Sequence, residues 1–197
     1  MGKGWIRNTV VGLAMSGVVL GAGAQAAGAD TAPQLPTKQT YTDFTKIPQV
    51  YKQPDLTPIA TMSDRMTAMV NKVRAQGRSC GSEGYFPPAP ALVANRQLAK
   101  AAQGHSNWMA ANNKMSHIGA NGSEMDDRVE AAGYTGWTAL AENVAYGQSS
   151  EQAVIDSWFS SPGHCKNFMK ATYKDIGFGK ATSANGTPYW TANLGRK

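Results

Sequence analysis

The stretch Trp158-Phe159-Ser160-Ser161-Pro162-Gly163-His164-Cys165-Lys166-Asn167-Phe168-Met169 sets the tightest limits on the fold, because a helix stop, a histidine and one of only two cysteines fall within it. Val154, Ile155, Trp158 and Phe159 recur at helical spacing and run into Pro162-Gly163. Proline removes a backbone donor and glycine accepts a positive φ, so the helix is expected to stop before His164, and His164 to start a new element. Cys165 has one candidate partner, Cys80, 85 positions away.

Whether those cysteines pair depends on where the chain works. Lys3 and Arg7 precede a run from Thr9 to Ala24 that has no charge and many small residues, and Ala24-Gln25-Ala26 has the small-x-small form of a cleavage site. Residues 1–26 therefore read as a signal peptide; an uncleaved anchor is the alternative, although the apolar run is short and glycine-rich for a membrane span. A secreted protein, extracellular or periplasmic, is expected, with no integral membrane span after cleavage. In an oxidising compartment an even cysteine count predicts a Cys80–Cys165 disulfide, which in the chain-entropy model stabilises by about 4 to 5 kcal/mol. The alternative makes Cys165 a nucleophile beside His164, but neighbours in sequence usually point apart.

Loss of Lys3 and Arg7 with the leader lowers the formal net charge from +6 to +4. The positive charges are dispersed among acids, so nucleic acid is not expected as a partner. Lys166, Lys170 and Lys174 fall at spacing four; they read as a solvated face or, alternatively, as a contact to an anionic envelope surface.

Residues 27–60 carry Pro33, Pro36, Pro48, Pro54 and Pro58 among threonines and glutamines and read as an extension without a core of its own. The folded domain is expected over 61–197. Met62, Met66, Met69, Val70 and Val73 predict a first helix stopped at Gly77, and residues 78–91 read as a loop. A second helix, from about Asn95 to Asn113, places His105 on its inward stripe, either as a satisfied core residue or as a ligand. Ser123 with Asp126, and Ser149 with Gln152, have the form of capping boxes for two further helices. Residues 137–147 form a mixed run around Glu142, readable as a strand or a turn. Ile176–Ala181 and Tyr189–Leu194, separated by Asn185-Gly186, predict a hairpin. Helices first and antiparallel strands last indicate an α+β domain.

The chain has three histidines. His117 and His164 are expected in glycine-bounded loops, free to present a ring to solvent or metal, but no short ligand spacing links them. Glu142 is an acid in an apolar stretch and needs a partner. It reads equally as a structural ion pair or as a general base or metal-site carboxylate. No Gly-x-Ser-x-Gly elbow is present to support a serine nucleophile.

Ser116-His117, Glu142-Asn143-Val144-Ala145, Trp158-x-x-Ser161-Pro162-Gly163-His164-x-x-Asn167, Ile176-Gly177-x-Gly179 and Tyr189-Trp190 together resemble the bacterial branch of the CAP superfamily (cysteine-rich secretory, antigen 5 and pathogenesis-related proteins, or SCP domains). The match runs in order over roughly residues 66–195. The resemblance implies an α-β-α sandwich, a small antiparallel sheet between helical layers, with a cleft that holds a His/Glu tetrad. It assigns His117 and His164 as metal ligands and Glu142 as the cleft glutamate, with His105, Asn143 and Asn167 lining or supporting the cleft. Two positions depart from the pattern: Ala141 stands where the family's Gly-Glu-Asn motif has glycine, and Ser161 where eukaryotic members have a second glutamate. Asp156 and Glu151 are the nearest acids that could substitute. Zinc is the cofactor implied, and a lipid-like or sterol-like ligand or a protein partner is the implied binding function. A non-enzymatic binding module is thus the leading expectation; a zinc-dependent, peptidase-like hydrolase with Glu142 as general base is the other.

Overall fold

The structure, a computed structural model, describes residues 61–197; the leader expected over 1–26 and the extension over 27–60 lie outside the described residues. The element order is α1 (Met62–Arg74), β1 (Arg78–Ser79), β2 (Tyr85–Phe86), β3 (Val93–Ala94), α2 (Arg96–Asn112), α3 (Met125–Ala131), β4 (Ala139–Tyr146), α4 (Glu151–Ser160), α5 (Pro162–Met169), β5 (Asp175–Thr182) and β6 (Pro188–Arg196). No helix among them is long and apolar enough to cross a membrane.

Four strands form the central sheet in the order β3-β5-β6-β4. The long strands β5, β6 and β4 pair antiparallel, as expected, and the hairpin register brings Thr182 opposite Pro188. Val93–Ala94 adds a two-residue parallel strand on β5, between the loop expected over residues 78–91 and the second helix. Those residues also contain the small β1–β2 hairpin, Arg78 opposite Phe86.

Alternation along the strands decides what each face holds. Ile176, Phe178, Trp190, Ala192 and Leu194 point to one side and form a core with Met66 and Val70 of α1, Val154, Ile155 and Trp158 of α4, and Phe168 and Met169 of α5. Trp158 packs edge-on against Phe168, ring centroids 5.6 Å apart. Each such side chain contributes roughly 1.5–3 kcal/mol on burial. The opposite face receives α2. A Cβ on Gly177 would lie 2.1 Å from the Ala99 backbone nitrogen, and one on Gly179 would lie 2.3 Å from the Ala102 carbonyl carbon. These glycines let the α2 backbone rest directly on β5, which makes the α-β-α layering physical.

Two devices fix α5. Cys80 and Cys165 form a disulfide, so Cys165 is not a free nucleophile. Arg74, fully buried at the end of α1, donates to the carbonyls of Pro90, Phe168 and Lys170. Its charge thus meets the negative C-terminal end of α5.

Two caps lie one residue later than the sequence suggested. Ser150, not Ser149, accepts from the Ala153 amide to start α4. Glu124, not Ser123, is the N-cap of α3, its amide donating to Asp127. At α3 both Ser123 and Glu124 have an aspartate three positions on, so composition does not rank them; at α4 the residue that caps, Ser150, has Ala153 there and needs only its amide.

Candidate functional site

β4 is an edge strand, and its alternation sends Glu142 to one face and Asn143 to the other. Glu142 points toward α2 and α3. Its side chain is 4% exposed, yet both oxygens are engaged: Oε1 accepts from His117 Nδ1 at 2.8 Å and Oε2 accepts from Arg128 Nη2 at 2.7 Å. Asn193, its cross-strand partner on β6, is fully buried; with its amide nitrogen turned toward Glu142 it donates to Oε2 at 3.2 Å and accepts from the Ala102 amide at 3.2 Å. Burial alone would raise the Glu142 pKa, but the His117 hydrogen bond and the Arg128 charge outweigh it, so the carboxyl lies below its ordinary value.

His117 lies in the loop after α2, its side chain 58% exposed. The Glu142 hydrogen bond raises its pKa against the opposing effect of burial. With Nδ1–H donated to the carboxylate, Nε2 is the nitrogen left to carry a proton or bind a metal. Ser116 shapes this loop: its hydroxyl accepts from the Ile118 amide, and its carbonyl accepts from His105 Nε2 at 2.7 Å. His105 itself is 1% exposed and its pKa is lowered by burial, so it supports the His117 loop from inside as a neutral ring. A Cβ on Gly119 would lie 2.8 Å from Ser123 Oγ, 3.2 Å from His105 Nδ1 and 3.3 Å from Arg128 Nη1. Glycine is what lets the loop close over that polar group.

His164 comes from the other side of the β4 edge. It sits in the first turn of α5 rather than in a loop, because Pro162 occupies the first helical positions and ends one helix while starting the next. Asn143 Nδ2 donates to the His164 carbonyl at 3.1 Å, and Asn167 Nδ2 donates to Asn143 Oδ1 at 2.8 Å. The two asparagines therefore hold the α5 backbone against β4 and do not face the Glu142 side. Burial first, and then the neighbouring His117, lower the His164 pKa. Both effects favour the neutral imidazole that a metal requires.

Neither acid considered in place of the second glutamate reaches the site. Glu151 is paired with Arg65, and Asp156 accepts from Gln152 at 2.8 Å. Among the described residues no group of three His, Cys, Asp or Glu side chains is placed to hold a metal ion. A closed structural metal site of four protein ligands is therefore not formed among the described residues. Lys166, from the spacing-four series, is paired with Glu83 at 2.6 Å.

Arg128 and Asn193 escaped the sequence reading. Arg128 follows Asp126-Asp127 on a short amphipathic helix and looks like an ordinary solvated residue. Asn193 carried a usable signal, a polar residue between the apolar Ala192 and Leu194 of a strand.

The model of the cysteine-rich secretory protein family, CAP, matches residues 67–194. The uncharacterized membrane protein YlbC of Bacillus subtilis (strain 168) is 33% identical over 85 residues, 43% of this chain and 24% of that protein. The uncharacterized protein YkwD of the same organism is 30% identical over 100 residues, 51% of this chain and 37% of that one. The chain thus spans well under half the length of these relatives. A solved extracellular protein containing an SCP domain from Bacillus anthracis (strain Ames) superposes with a TM-score of 0.57 at 26% identity, over 69% of this chain and 40% of that one. An outer surface protein of Borrelia burgdorferi superposes with a TM-score of 0.56 at 16% identity, over 68% and 90%, a likeness of fold. With a family model spanning most of the described domain, the chain belongs to the cysteine-rich secretory protein (CAP) family.

Proposed function

We propose that this CAP domain is an exported binding module whose His117 and His164 take a divalent metal, zinc foremost, while Glu142 orients His117 rather than acting as a base. The observation that carries this reading is the double engagement of Glu142, one oxygen on His117 and the other on Arg128. A general base works best with a pKa near the working pH; this carboxylate lies below its ordinary value and has both oxygens committed to hydrogen bonds. A carboxylate hydrogen-bonded to Nδ1 is the usual support of a metal-binding histidine, fixing the tautomer and strengthening Nε2 as a donor. When bound, the metal would supply a Lewis-acidic centre with positions open to water or ligand.

Export is supported by the leader pattern and by the extracellular SCP-domain relative from Bacillus anthracis. A lipid-like ligand or a protein partner remains the proposed cargo of the module. The competing hydrolase reading would keep Glu142 as general base.

Calorimetric titration of zinc into the disulfide-bonded protein tests the proposal. Single-site binding is expected, lost in His164→Ala and His117→Ala and weakened about 10- to 100-fold in Glu142→Gln, as for removal of a metal ligand's hydrogen-bond partner. No binding by the folded wild type would remove the metal reading. Turnover of a peptide or ester by the wild type, abolished in Glu142→Gln with zinc retained, would favour the hydrolase.

A further inference from the structure

The sheet has a second edge, on the side away from β4. β3 pairs with β5 only through Val93 opposite Asp175 and Ala94 opposite Ile176, because Asn95 already caps α2 and turns the chain off the strand. β5 runs on to Thr182, so among the described residues its outer side has no neighbouring strand from Phe178 onward. Alternate residues of a strand turn their N–H and C=O the same way. The Asn95 amide bonds the Ile176 carbonyl, which sets residues 178 and 180 on that outer side as well. Side chains stand in for the missing strand. The Phe178 amide donates to Ser63 Oγ at 3.2 Å, and Gln103 bridges Lys180, its Oε1 accepting from the amide at 3.2 Å and its Nε2 donating to the carbonyl at 2.6 Å.

A sheet edge without a neighbouring strand is a template for another chain. β4 is closed to this use, since its Leu140 and Val144 carbonyls are bonded by Tyr173 and Trp158, both buried. Ser63 and Gln103 are only half-buried, and they line a concavity of about 430 Å³ between the starts of α1 and α2, with Phe178 at the sheet. Its two walls differ in chemistry. Met62 comes from α1, whereas the exposed cations Arg96 and Lys100 come from α2. Asp64, the acid in the lining, is held by the Thr61 amide and hydroxyl. A strand laid between these walls turns successive side chains to one and then the other.

We propose that this groove takes an extended acidic peptide of a partner protein, added to the outer edge of β5 in line with β3, with apolar side chains toward Met62 and acidic ones toward Arg96 and Lys100. Main-chain hydrogen bonds to residues 178 and 180 supply affinity, and the alternation supplies selection. Gln103 fills one pairing position and swings off to admit the peptide, so it acts as a latch on the edge. The groove lies at the opposite edge of the sheet from β4 and works without a metal at the histidines.

The test is titration of the purified, disulfide-bonded protein with an acetylated hexapeptide amide of alternating valine and glutamate, followed by amide NMR. The Phe178 and Lys180 amide signals are expected to shift and their hydrogen exchange to slow. The alternating valine and lysine hexapeptide is expected to bind at least about tenfold more weakly. The glutamate peptide methylated at every backbone nitrogen, which has no N–H for the ladder, is expected not to bind. Gln103→Ala removes two hydrogen bonds that the peptide must displace, and is expected to bind the glutamate peptide about tenfold more tightly. Unchanged Phe178 and Lys180 signals at saturating peptide overturn the site. Equal binding of the methylated peptide overturns strand addition, and equal binding of the lysine peptide overturns the acidic preference. Unchanged or weaker binding by folded Gln103→Ala overturns the latch. Shifts at the same amides that grow with protein concentration alone put a second copy of the chain on the edge and overturn the peptide as its occupant.

Discussion

On one face of the sheet Ile176, Phe178, Trp190, Ala192 and Leu194 meet α1, α4 and α5 in a continuous apolar core. On the other face β5 and β6 present Gly177, Gly179, Thr191 and Asn193, and β4 presents Glu142, to α2 and α3, with Ser106 donating to Thr191 at 2.9 Å inside that contact. The first face stabilises through area removed from water and accepts changes that preserve volume. The second depends on close backbone approach and on polar groups satisfied one by one, a costlier construction unless it holds something in place. What it holds is the carboxylate that aims His117. β4 joins the two, since Asn143 fastens α5 and His164 on one side while Glu142 fixes His117 on the other.

If the faces differ in this way, their variants should fail differently. Trp158→Ala opens the apolar face and is expected to cost about 3–5 kcal/mol in denaturant unfolding, with His117 titrating as before in the molecules that remain folded. Gly177→Ala drives a methyl group into the α2 backbone and is expected to cost about 3 kcal/mol, moving α2 and with it the His105 support of the His117 loop. A wild-type-like unfolding midpoint for Gly177→Ala would break the account of the second face. Arg128→Met removes one partner of a buried ion pair; a loss of about 1–3 kcal/mol is expected, together with a rise in the Glu142 pKa seen by carboxyl NMR. An unchanged Glu142 would show that Arg128 is only decorative.

The smallest effect is in the pH dependence of stability, and its sign separates the groups. Glu142 is depressed below 4.5, so its contribution is present above pH 4.5 and is lost as pH falls through the lower folded value. His117 is raised above 6.5, so its contribution is full below pH 6.5 and fades as pH rises through the folded value; its exposure keeps that contribution small. Their ion pair is therefore fullest between about pH 4.5 and 6.5. His105 and His164 act in the opposite sense: both are depressed by burial, so the stability they bring is present above pH 6.5 and declines below it. Urea midpoints measured from about pH 2 to 8 should show Glu142→Gln flattening the limb below pH 4.5, and a mutant with that limb unchanged would count against the pair.

Much of the apolar face was legible in the sequence, because its helices and strands repeat at 3.6 and 2 and because two cysteines in a chain expected to be exported leave one pairing. The hairpin of β5 and β6 could be read from Asn185-Gly186 for the same local reason. The polar face was less legible. Glu142 stood out as an acid needing a partner, but Arg128 could be found only once α3 docked against β4, a contact that no spacing encodes. His164 was read as a loop residue since Pro162-Gly163 signals a helix stop as strongly as a helix start. Asn143, adjacent to Glu142 in sequence, gave no sign of facing away from it until the strand was established.

The most direct test of the account is the NMR titration of the His117 ring in the wild type and in Glu142→Gln. If Glu142 is the group that orients His117 and holds its Nδ1 proton, the wild-type pKa lies above the ordinary histidine value of 6.5 and falls toward it in the variant. Equal His117 titration curves in the two proteins would contradict that claim and leave the carboxylate without the role assigned to it.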